Sequence, residues 1–339
     1  MRVGLVGFKS SGKTTVFNAL TGQKAEVGGY AAGKVNLGVI KVPDPRVDAL
    51  SEICKPEKTT YAEVTFADVP GFEAGKGLDS SALTHLRDVD AFAHVVRAFG
   101  DAPAAARDIR DLEVELVLAD LAVVEKRLER LKKEKGKPGE KELLEKVGAK
   151  LSAETPLRAA GLSADEEKAL SSFAFLSQRP MLYVLNVSEA DAGKAAGQEV
   201  VAAAASAPVV VLSGRAEMEI AELAPDEQTA FLADLGLGEP ARARFIRACY
   251  SLLDLISMFT VGEDEVKAWT IHRGDHARKA AGKIHTDIER GFIRAEVIRY
   301  EDYVTYKTEA RCREVGKLRL EGKDYVVQDG DVVHFRFNV

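Results

Sequence analysis

The first group of residues that could do chemistry lies at the start of the chain and fits the pattern G-x-x-x-x-G-K-[ST]. Its members are Gly7, Phe8, Lys9, Ser10, Ser11, Gly12, Lys13 and Thr14. The two glycines let the backbone turn its N–H groups towards phosphate oxygens, and a helix that begins near Lys13 would direct its positive end at the same phosphates. We expect Lys13 to reach the β- and γ-phosphates and Thr14 to ligate Mg²⁺. The motif predicts a nucleotide-binding loop, and we assign the next residue, Thr15, to it as well.

A second motif, D-x-x-G, follows an apolar run and consists of Asp68, Val69, Pro70 and Gly71. The Asp can hold Mg²⁺ through water, and the Gly71 N–H can sense the γ-phosphate. The same four residues could form an ordinary turn, but their place after a phosphate-binding loop is typical of a nucleotide switch. We predict Lys13, Asp68 and Gly71 as catalytic residues and Thr14 and Asp68 as Mg²⁺ ligands.

Two later loops are expected to contact the base. GTP-specific switches carry N-K-x-D, whose Asp accepts two hydrogen bonds from guanine, whereas this chain has Asn186, Val187 and Glu189 at that place. The longer Glu side chain should not match the guanine edge, and unpaired polar groups in a base pocket are costly, so we expect a weaker preference for GTP. Asn186 could hydrogen-bond the base or brace the phosphate loop. Ser213 and Gly214 form the last predicted base-contacting loop.

These motifs lie at the ends of short apolar runs that are separated by helical stretches. The predicted strands are Val3–Val6, Val35–Val42, Glu63–Asp68, Ala91–Val96, Met181–Asn186 and Pro208–Leu212. Such an alternation is typical of a parallel sheet with helices on both faces. We therefore predict an α/β fold of the P-loop NTPase (Ras-like) type, built from a discontinuous G domain of residues 1–106 and 159–254.

Residues 107–158 interrupt this pattern with apolar side chains at steps of three and four. The repeat consists of Val114, Val117, Leu121, Val124, Leu128 and Leu131, and it resumes at Leu144, Val147 and Leu151 after a break at residues 136–139. This spacing predicts an inserted antiparallel helical hairpin. Residues 126–150 contain ten Lys or Arg against five Glu. A solvated surface of paired charges and an arm that binds RNA or a partner both remain open.

The last region, residues 255–339, is predicted to form a small α+β module. Its predicted strands are Val266–Ile271, Gly291–Ile298, Asp324–Val327 and Val332–Val339, and its predicted helix is Asp275–Ile284. In the last strand, one set of side chains alternates with a polar set, which predicts one buried face. The buried set is Val333, Phe335, Phe337 and Val339.

Composition favours a cytoplasmic globular protein. The chain has 339 residues, of which 46% are hydrophobic and 29% charged, and its formal net charge is −6. We expect no membrane-spanning helix and no signal peptide, because neither kind of apolar run is present. The charge argues against a protein that coats nucleic acid with its whole surface, and no DNA sequence specificity is expected. Cys54, Cys249 and Cys312 show no metal-binding or disulfide spacing and are predicted to be reduced thiols.

Taken together, the motifs resemble those of the YchF family, the Obg-like ATPases. The stretches that carry the resemblance are Val42–Leu50, Glu125–Leu131, Asn186–Glu189, Phe259–Glu263, Ala268–Thr270, Gly291–Val297 and His334–Val339. The resemblance implies a P-loop ATPase with a coiled-coil arm and a C-terminal β-grasp TGS domain at residues 255–339. It further implies a preference for ATP through the N-x-x-E motif and an association with the ribosome or ribosomal RNA. The basic arm residues Lys132, Lys133, Lys135 and Lys137, together with the TGS domain, are the predicted contacts.

Three positions bear on how the family chemistry carries over. The family loop typically has Asn, linked to monovalent-cation binding, where this chain has Ser10, so K⁺ stimulation is left open. Ala32 takes the place of the switch Thr that contacts Mg²⁺ and the γ-phosphate in the family. Phe72 agrees with the family, which has a hydrophobic residue where many GTPases have a catalytic Gln.

Three functions therefore stay open at this point. The preferred one is a slow Mg²⁺-dependent ATPase switch whose states differ in the order of residues 25–35 and 72–81. The second, motivated by Ala32, is a nucleotide-binding adaptor for the ribosome or RNA with little hydrolysis. The third is an Obg-type GTPase with a relaxed base pocket.

Overall fold

The structure, a computed structural model, describes residues 1–26, 35–73, 75–78, 80–101, 103–134 and 136–338. The chain divides into two compact units. The first contains Met1–Val39 and Thr65–Ala248, and the second contains Ile40–Val64 and Cys249–Val339. The predicted division at residues 106/107, 158/159 and 254/255 stays a prediction.

The secondary structure elements of the described residues are numbered in chain order. The strands are β1 (Arg2–Val6), β2 (Asn36–Lys41), β3 (Lys58–Thr60), β4 (Glu63–Asp68), β5 (Ala91–Ala98), β6 (Met181–Val187), β7 (Val209–Leu212), β8 (Leu255–Thr260), β9 (Glu265–His272), β10 (Phe292–Arg299), β11 (Arg319–Glu321) and β12 (Asp331–Phe337). The α-helices are α1 (Lys13–Thr21), α2 (Pro45–Cys54), α3 (Ser80–Arg87), α4 (Ala105–Leu131), α5 (Glu140–Ser152), α6 (Ala164–Leu170), α7 (Gln198–Ala203), α8 (Gly214–Glu222), α9 (Pro225–Asp234), α10 (Ala241–Leu252), α11 (Ala277–Ile284), α12 (Thr286–Arg290), α13 (Tyr300–Tyr306) and α14 (Glu309–Glu314). Short 3₁₀ helices cover Leu157–Ala159, Ser171–Phe173 and Glu189–Asp191.

A sheet with the strand order β2-β4-β1-β5-β6-β7 forms the centre of the first unit. Each neighbouring pair from β4 to β7 is parallel. Every residue of β6 is buried, as expected for a strand covered on both faces. The predicted α/β fold with a mostly parallel sheet is confirmed. Parallel strands end at the same edge, so this edge gathers the loops that follow β1, β4, β6 and β7.

The predicted hairpin is formed by α4 and α5. Arg127 of α4 donates to the Glu140 carboxylate at 2.7 and 3.1 Å, while Val124 faces Gly148 further along α5, so the two helices are antiparallel. Eight of the nine predicted apolar residues share one core, in which Val117, Val124, Leu144, Val147 and Leu151 are buried; Val114 is outside it. The helical arm is therefore confirmed as a packed hairpin.

Asp120 fixes α4 to the segment that leads into β6. Its buried carboxylate accepts hydrogen bonds from the backbone N–H groups of Leu176 and Ser177 at 2.8 and 2.7 Å. Burial raises the pKa of Asp120, and the hydrogen bonds from Ser177 and Leu176 oppose that rise. The acid thus satisfies two buried donors, which would be costly to leave unpaired.

The second unit is built on a sheet with the order β11-β10-β12-β8-β9-β3. Small residues of α11, Ala277, Ala280 and Ala281, pack with Met258 and Phe335 of the sheet in one core. β3 pairs in parallel with β9 and adds residues 58–60 to this sheet. The C-terminal β-rich domain is confirmed, and a strand from the N-terminal half of the chain completes its sheet.

An arginine holds residues 40–64 within the second unit. Arg46 lies in the first turn of α2, donates to Asp44 at 2.8 Å and to Asp329 at 3.0 Å, and lies over the Phe259 ring at 5.0 Å. Asp329 also accepts from the Ser257 N–H at 2.9 Å. These contacts tie the N-terminus of α2 to the sheet of the same unit.

The predicted strand Asp324–Val327 is wrong. The Tyr325 N–H donates to the Gly322 carbonyl and closes a turn, and the Val327 N–H donates to the Asp275 carbonyl. With these donors used, the segment makes only an isolated bridge between Val326 and His276. The edge strand beside β10 forms earlier in the chain, at β11.

The predicted buried face of the last strand is correct only in its first half. Val333 and Phe335 are buried, but Phe337 is 42% exposed. Phe337 pairs with Phe292 at the start of β10, where the register between the two strands shifts, so the alternation stops there. Val339 lies outside the described residues.

Among the helices of the described residues, none is long and apolar enough to cross a membrane.

Candidate nucleotide-binding site

The loop between β1 and α1 has the backbone shape that its glycines predict. Gly7 and Gly12 have φ angles of 144° and 84°, and Ser10 has a φ of 63°. A Cβ atom at Gly7 would lie 2.5 Å from the Val95 carbonyl oxygen, and one at Gly12 would collide with the Asn186 side-chain amide. Both positions therefore require glycine on grounds of space as well as conformation.

Lys13 begins α1, and its side chain turns back into the loop. Nζ donates to the Phe8 carbonyl oxygen at 3.0 Å, and the residue is only 4% exposed. Burial lowers the pKa of Lys13 to about 8, and the nearby Asp68 carboxylate opposes this shift. The loop thus encloses a cation whose charge is poorly solvated, which favours an anionic ligand beside it.

Thr14 and Asp68 meet at the carboxyl edge of the sheet. Asp68 is the last residue of β4 and pairs in register with Leu5 of β1, which places it beside the loop. Thr14 Oγ1 donates to Asp68 Oδ2 at 2.9 Å, and both residues are buried. Hydroxyl and carboxylate oxygens are the ligands that Mg²⁺ prefers, so this pair fits a magnesium site shared with phosphate oxygens.

The segment after Asp68 is hydrogen-bonded to the loop. The Lys9 N–H donates to the Phe72 carbonyl at 2.8 Å, and the Phe72 N–H donates to the Gly7 carbonyl at 3.3 Å. A Cβ atom at Gly71 would lie 2.6 Å from Lys13 Nζ. The structure therefore brings the predicted residues Lys13, Asp68 and Gly71 together.

Asn186 braces the phosphate loop, which is one of the two roles considered for it. Nδ2 donates to the Ser11 carbonyl at 3.0 Å, and Oδ1 accepts from the Gly214 N–H at 3.0 Å. One side chain therefore joins the loops that follow β1, β6 and β7. Thr15 lies beside Gly214, since a Cβ atom at Gly214 would be 3.4 Å from Thr15 Cγ2.

The other predicted base-loop residues have different surroundings. Val187 is buried and packs in the core of the first unit. Ser213 Oγ accepts from the Ala216 N–H and caps α8. Glu189 forms an ion pair with Arg215, with Oε1 and Nε 3.0 Å apart. Ala32, like the rest of residues 27–34 in the expected first switch segment, lies outside the described residues.

Two residues near the loop were missed from the sequence. Asn36 Nδ2 lies 3.4 Å from Asp68 Oδ2 and can donate to it. His94 of β5 pairs in register with Val6, is buried, and contacts the Phe8 ring edge-on at a centroid distance of 6.4 Å. Burial, with a smaller contribution from Lys13, lowers the pKa of His94 to about 3, so the ring is neutral. Asn36 lies in the predicted strand Val35–Val42 and His94 in the predicted strand Ala91–Val96, and neither was assigned a role in the site from the sequence.

Known proteins are similar in sequence to this chain over its whole length. The sequence profile described as "50S ribosome-binding GTPase" matches residues 2–138, and the profile described as "YchF-GTPase_C, Protein of unknown function" matches residues 255–338. The chain is 42% identical to the "Ribosome-binding ATPase YchF" of Bacillus subtilis, over 100% of both chains. It is 44% identical to the protein of the same description from Pasteurella multocida, over 100% of this chain and 99% of that one. The chain belongs to the YchF family.

A solved structure of the family has the same fold. The Schizosaccharomyces pombe YchF GTPase superposes with a TM-score of 0.87 at 32% identity, covering 99% of this chain and 97% of that chain. A mixed α/β P-loop fold with a helical arm and a C-terminal β-rich domain is therefore confirmed over nearly the whole length.

Proposed function

We propose that this YchF-family chain binds ATP with Mg²⁺, hydrolyses it slowly to ADP and phosphate, and couples its nucleotide state to ribosome binding. The observation that carries the proposal is the convergence of Lys13, the Thr14–Asp68 pair and Gly71 on one glycine-shaped loop. The names of the relatives, which describe ribosome-binding ATPases, support it.

Thr14 and Asp68 would hold the metal. When bound, Mg²⁺ supplies positive charge to the β- and γ-phosphate oxygens. The residues present suit such a site, because a hydroxyl and a carboxylate already lie within hydrogen-bond distance of each other at the loop.

The chain's own contribution to hydrolysis would be charge stabilisation and positioning. Lys13 and the loop N–H groups would offset negative charge on the phosphates, and the Gly71 N–H would bind the γ-phosphate. Phosphoryl transfer depends mainly on these effects, so a slow reaction needs no side-chain base. Phe72, whose backbone is bonded to the loop, would exclude water from one side rather than orient it.

The ribosome or its RNA would be the partner of the arm and the C-terminal domain. Lys132 pairs with Glu129 at 2.6 Å, whereas Lys133 and Lys137 form no ion pair with other described residues. Lys135 lies outside the described residues. Lys133, an exposed lysine that forms no ion pair with other described residues, suits contact with phosphate. Lys137 lies close enough to Glu140 for its charge to help lower the pKa of that carboxyl.

Calorimetric titration with a non-hydrolysable ATP analogue and Mg²⁺ tests the nucleotide site. The unchanged protein should bind the analogue, and Lys13→Ala should abolish binding because the loop then lacks its cation. The matched control is Lys141→Ala, which removes an exposed lysine that pairs with Glu145 in the hairpin. Retained binding in Lys13→Ala would overturn the assignment.

Turnover distinguishes the switch from the adaptor alternative, which Ala32 motivates. Phosphate release that increases with ribosomes and is absent in Lys13→Ala supports the switch. Tight ATP binding without measurable phosphate release, with or without ribosomes, would favour the adaptor.

A further inference from the structure

The loops after β6 and β7, which the sequence predicts to contact the base, lie side by side. Asn186 and Leu212 are register partners in neighbouring parallel strands, so the segments that follow them leave the same edge together. The hydrogen bond from the Gly214 N–H to Asn186 Oδ1 then locks the two loops. Glu189 and Arg215 are carried on these anchored segments.

Arg215 forms an ion pair with the carboxylate of Glu189. Its Nε lies 3.0 Å from Glu189 Oε1 and 3.4 Å from Glu219 Oε1, so one guanidinium is shared by two carboxylates. The Arg215 side chain is 80% exposed and the Glu189 side chain 42% exposed. The pair therefore stands at the surface, where a base could reach it.

The state of this carboxylate matters for the choice of base. Guanine presents two neighbouring donors, N1–H and the N2 amino group, to a carboxylate, whereas adenine presents only its N6 amino group as a donor there. A carboxylate that is already paired with a guanidinium offers fewer free lone pairs and less negative charge to the two guanine donors. Adenine, with one donor at this edge, needs only one hydrogen bond from the same carboxylate.

We propose that Arg215 is a positioning residue that sets base preference by holding the Glu189 carboxylate away from guanine. This proposal rests on the proposed nucleotide-binding function. It predicts that freeing Glu189 raises affinity for guanine nucleotides relative to adenine nucleotides.

Titration of the full chain with Mg²⁺ and non-hydrolysable ATP and GTP analogues tests it. Arg215→Ala should lower the ratio of the GTP Kd to the ATP Kd by about two- to fivefold, the range expected for one exposed ion pair. Arg215→Lys, which keeps the charge, should lie between Arg215→Ala and the unchanged protein. The matched control is Arg247→Ala, which removes an exposed Arg from its pair with Glu239 and should leave the ratio unchanged.

A double-mutant cycle shows whether Arg215 acts through Glu189. In a Glu189→Ala background, Arg215→Ala should no longer change the ratio. An unchanged ratio in Arg215→Ala, or weaker GTP binding, would overturn this proposal alone, the latter by showing that the guanidinium binds guanine itself. If the unchanged protein binds neither analogue, the proposed function fails and this proposal fails with it.

Discussion

Lys13 carries its amino group in a buried position, and burial lowers the pKa of that group to about 8. A bound phosphate favours the charged form, so binding above this pKa must take up a proton. The affinity for the ATP analogue should be highest well below pH 8 and should fall as the pH rises through this pKa, by about tenfold between pH 7 and pH 9.

Calorimetry in two buffers of different ionisation enthalpy measures this proton directly. Binding of the ATP analogue should take up about 0.1 proton at pH 7 and about 0.9 at pH 9. A proton uptake near zero at pH 9 would show that Lys13 stays charged in the free protein.

Among individual residues, those in a motif could be predicted from the sequence, whereas those that reach the site through strand register could not. Lys13, Thr14 and Asp68 could be found because a fixed spacing of residue types demands one chemistry. The brace made by Asn186 was one of two open roles, since its partners, Ser11 and Gly214, are distant in sequence. His94 could not be assigned to the site, because a histidine inside an apolar run does not indicate that the folded strand lies beside the phosphate loop.

Among the elements, the α4–α5 hairpin shows how packing holds the arm. Leu144 of α5 is fully buried in the hairpin core, whereas Leu118 of α4 is 53% exposed. Leu144→Ala should lower the free energy of unfolding by roughly 2–5 kcal/mol, because it removes buried methyl groups and leaves a cavity. Urea unfolding followed by circular dichroism measures the change.

Leu118→Ala provides the matched control for that substitution. It deletes the same atoms from an exposed site and should change the free energy of unfolding by about 0.5 kcal/mol or less. Equal effects of the two substitutions would contradict the packing described for the hairpin.

The helical spacing of its apolar residues made this hairpin predictable. The edge strand β3 of the second sheet could not be predicted in the same way. Val117, Val124, Leu144 and Val147 indicate one apolar seam through their spacing alone. β3 has three residues and is recognisable only through its pairing with β9, which lies far along the chain. Short strands with distant partners carry too little local pattern to be assigned.

For the whole molecule, the arm lysines predict a salt-dependent association with purified ribosomes. A variant that combines Lys132→Glu, Lys133→Glu and Lys137→Glu should bind more weakly. The dependence of its log K on log salt should also be flatter, by about 0.7 to 0.9 for each phosphate that the lysines no longer bind. Co-sedimentation at several salt concentrations measures both effects.

The control for this experiment reverses three other surface cations of the first unit, which lie outside the hairpin turn. It combines Arg107→Glu, Lys194→Glu and Arg247→Glu, all at exposed side chains. That variant should keep the affinity and the salt dependence of the unchanged protein. A hairpin variant that behaves like the control would exclude the lysines of the hairpin turn as the ribosomal contact.

Residues 40–64 belong to the second unit, so a truncated chain cannot test the function of the C-terminal residues alone. A fragment that stops at residue 248 would retain Arg46 but lack Asp329 and Phe259, its partners in the intact chain. β3 would likewise be without β9. Loss of activity in such a fragment could therefore result from a damaged fold between the two phosphate-binding motifs. Point substitutions are the better way to test the function of the C-terminal residues.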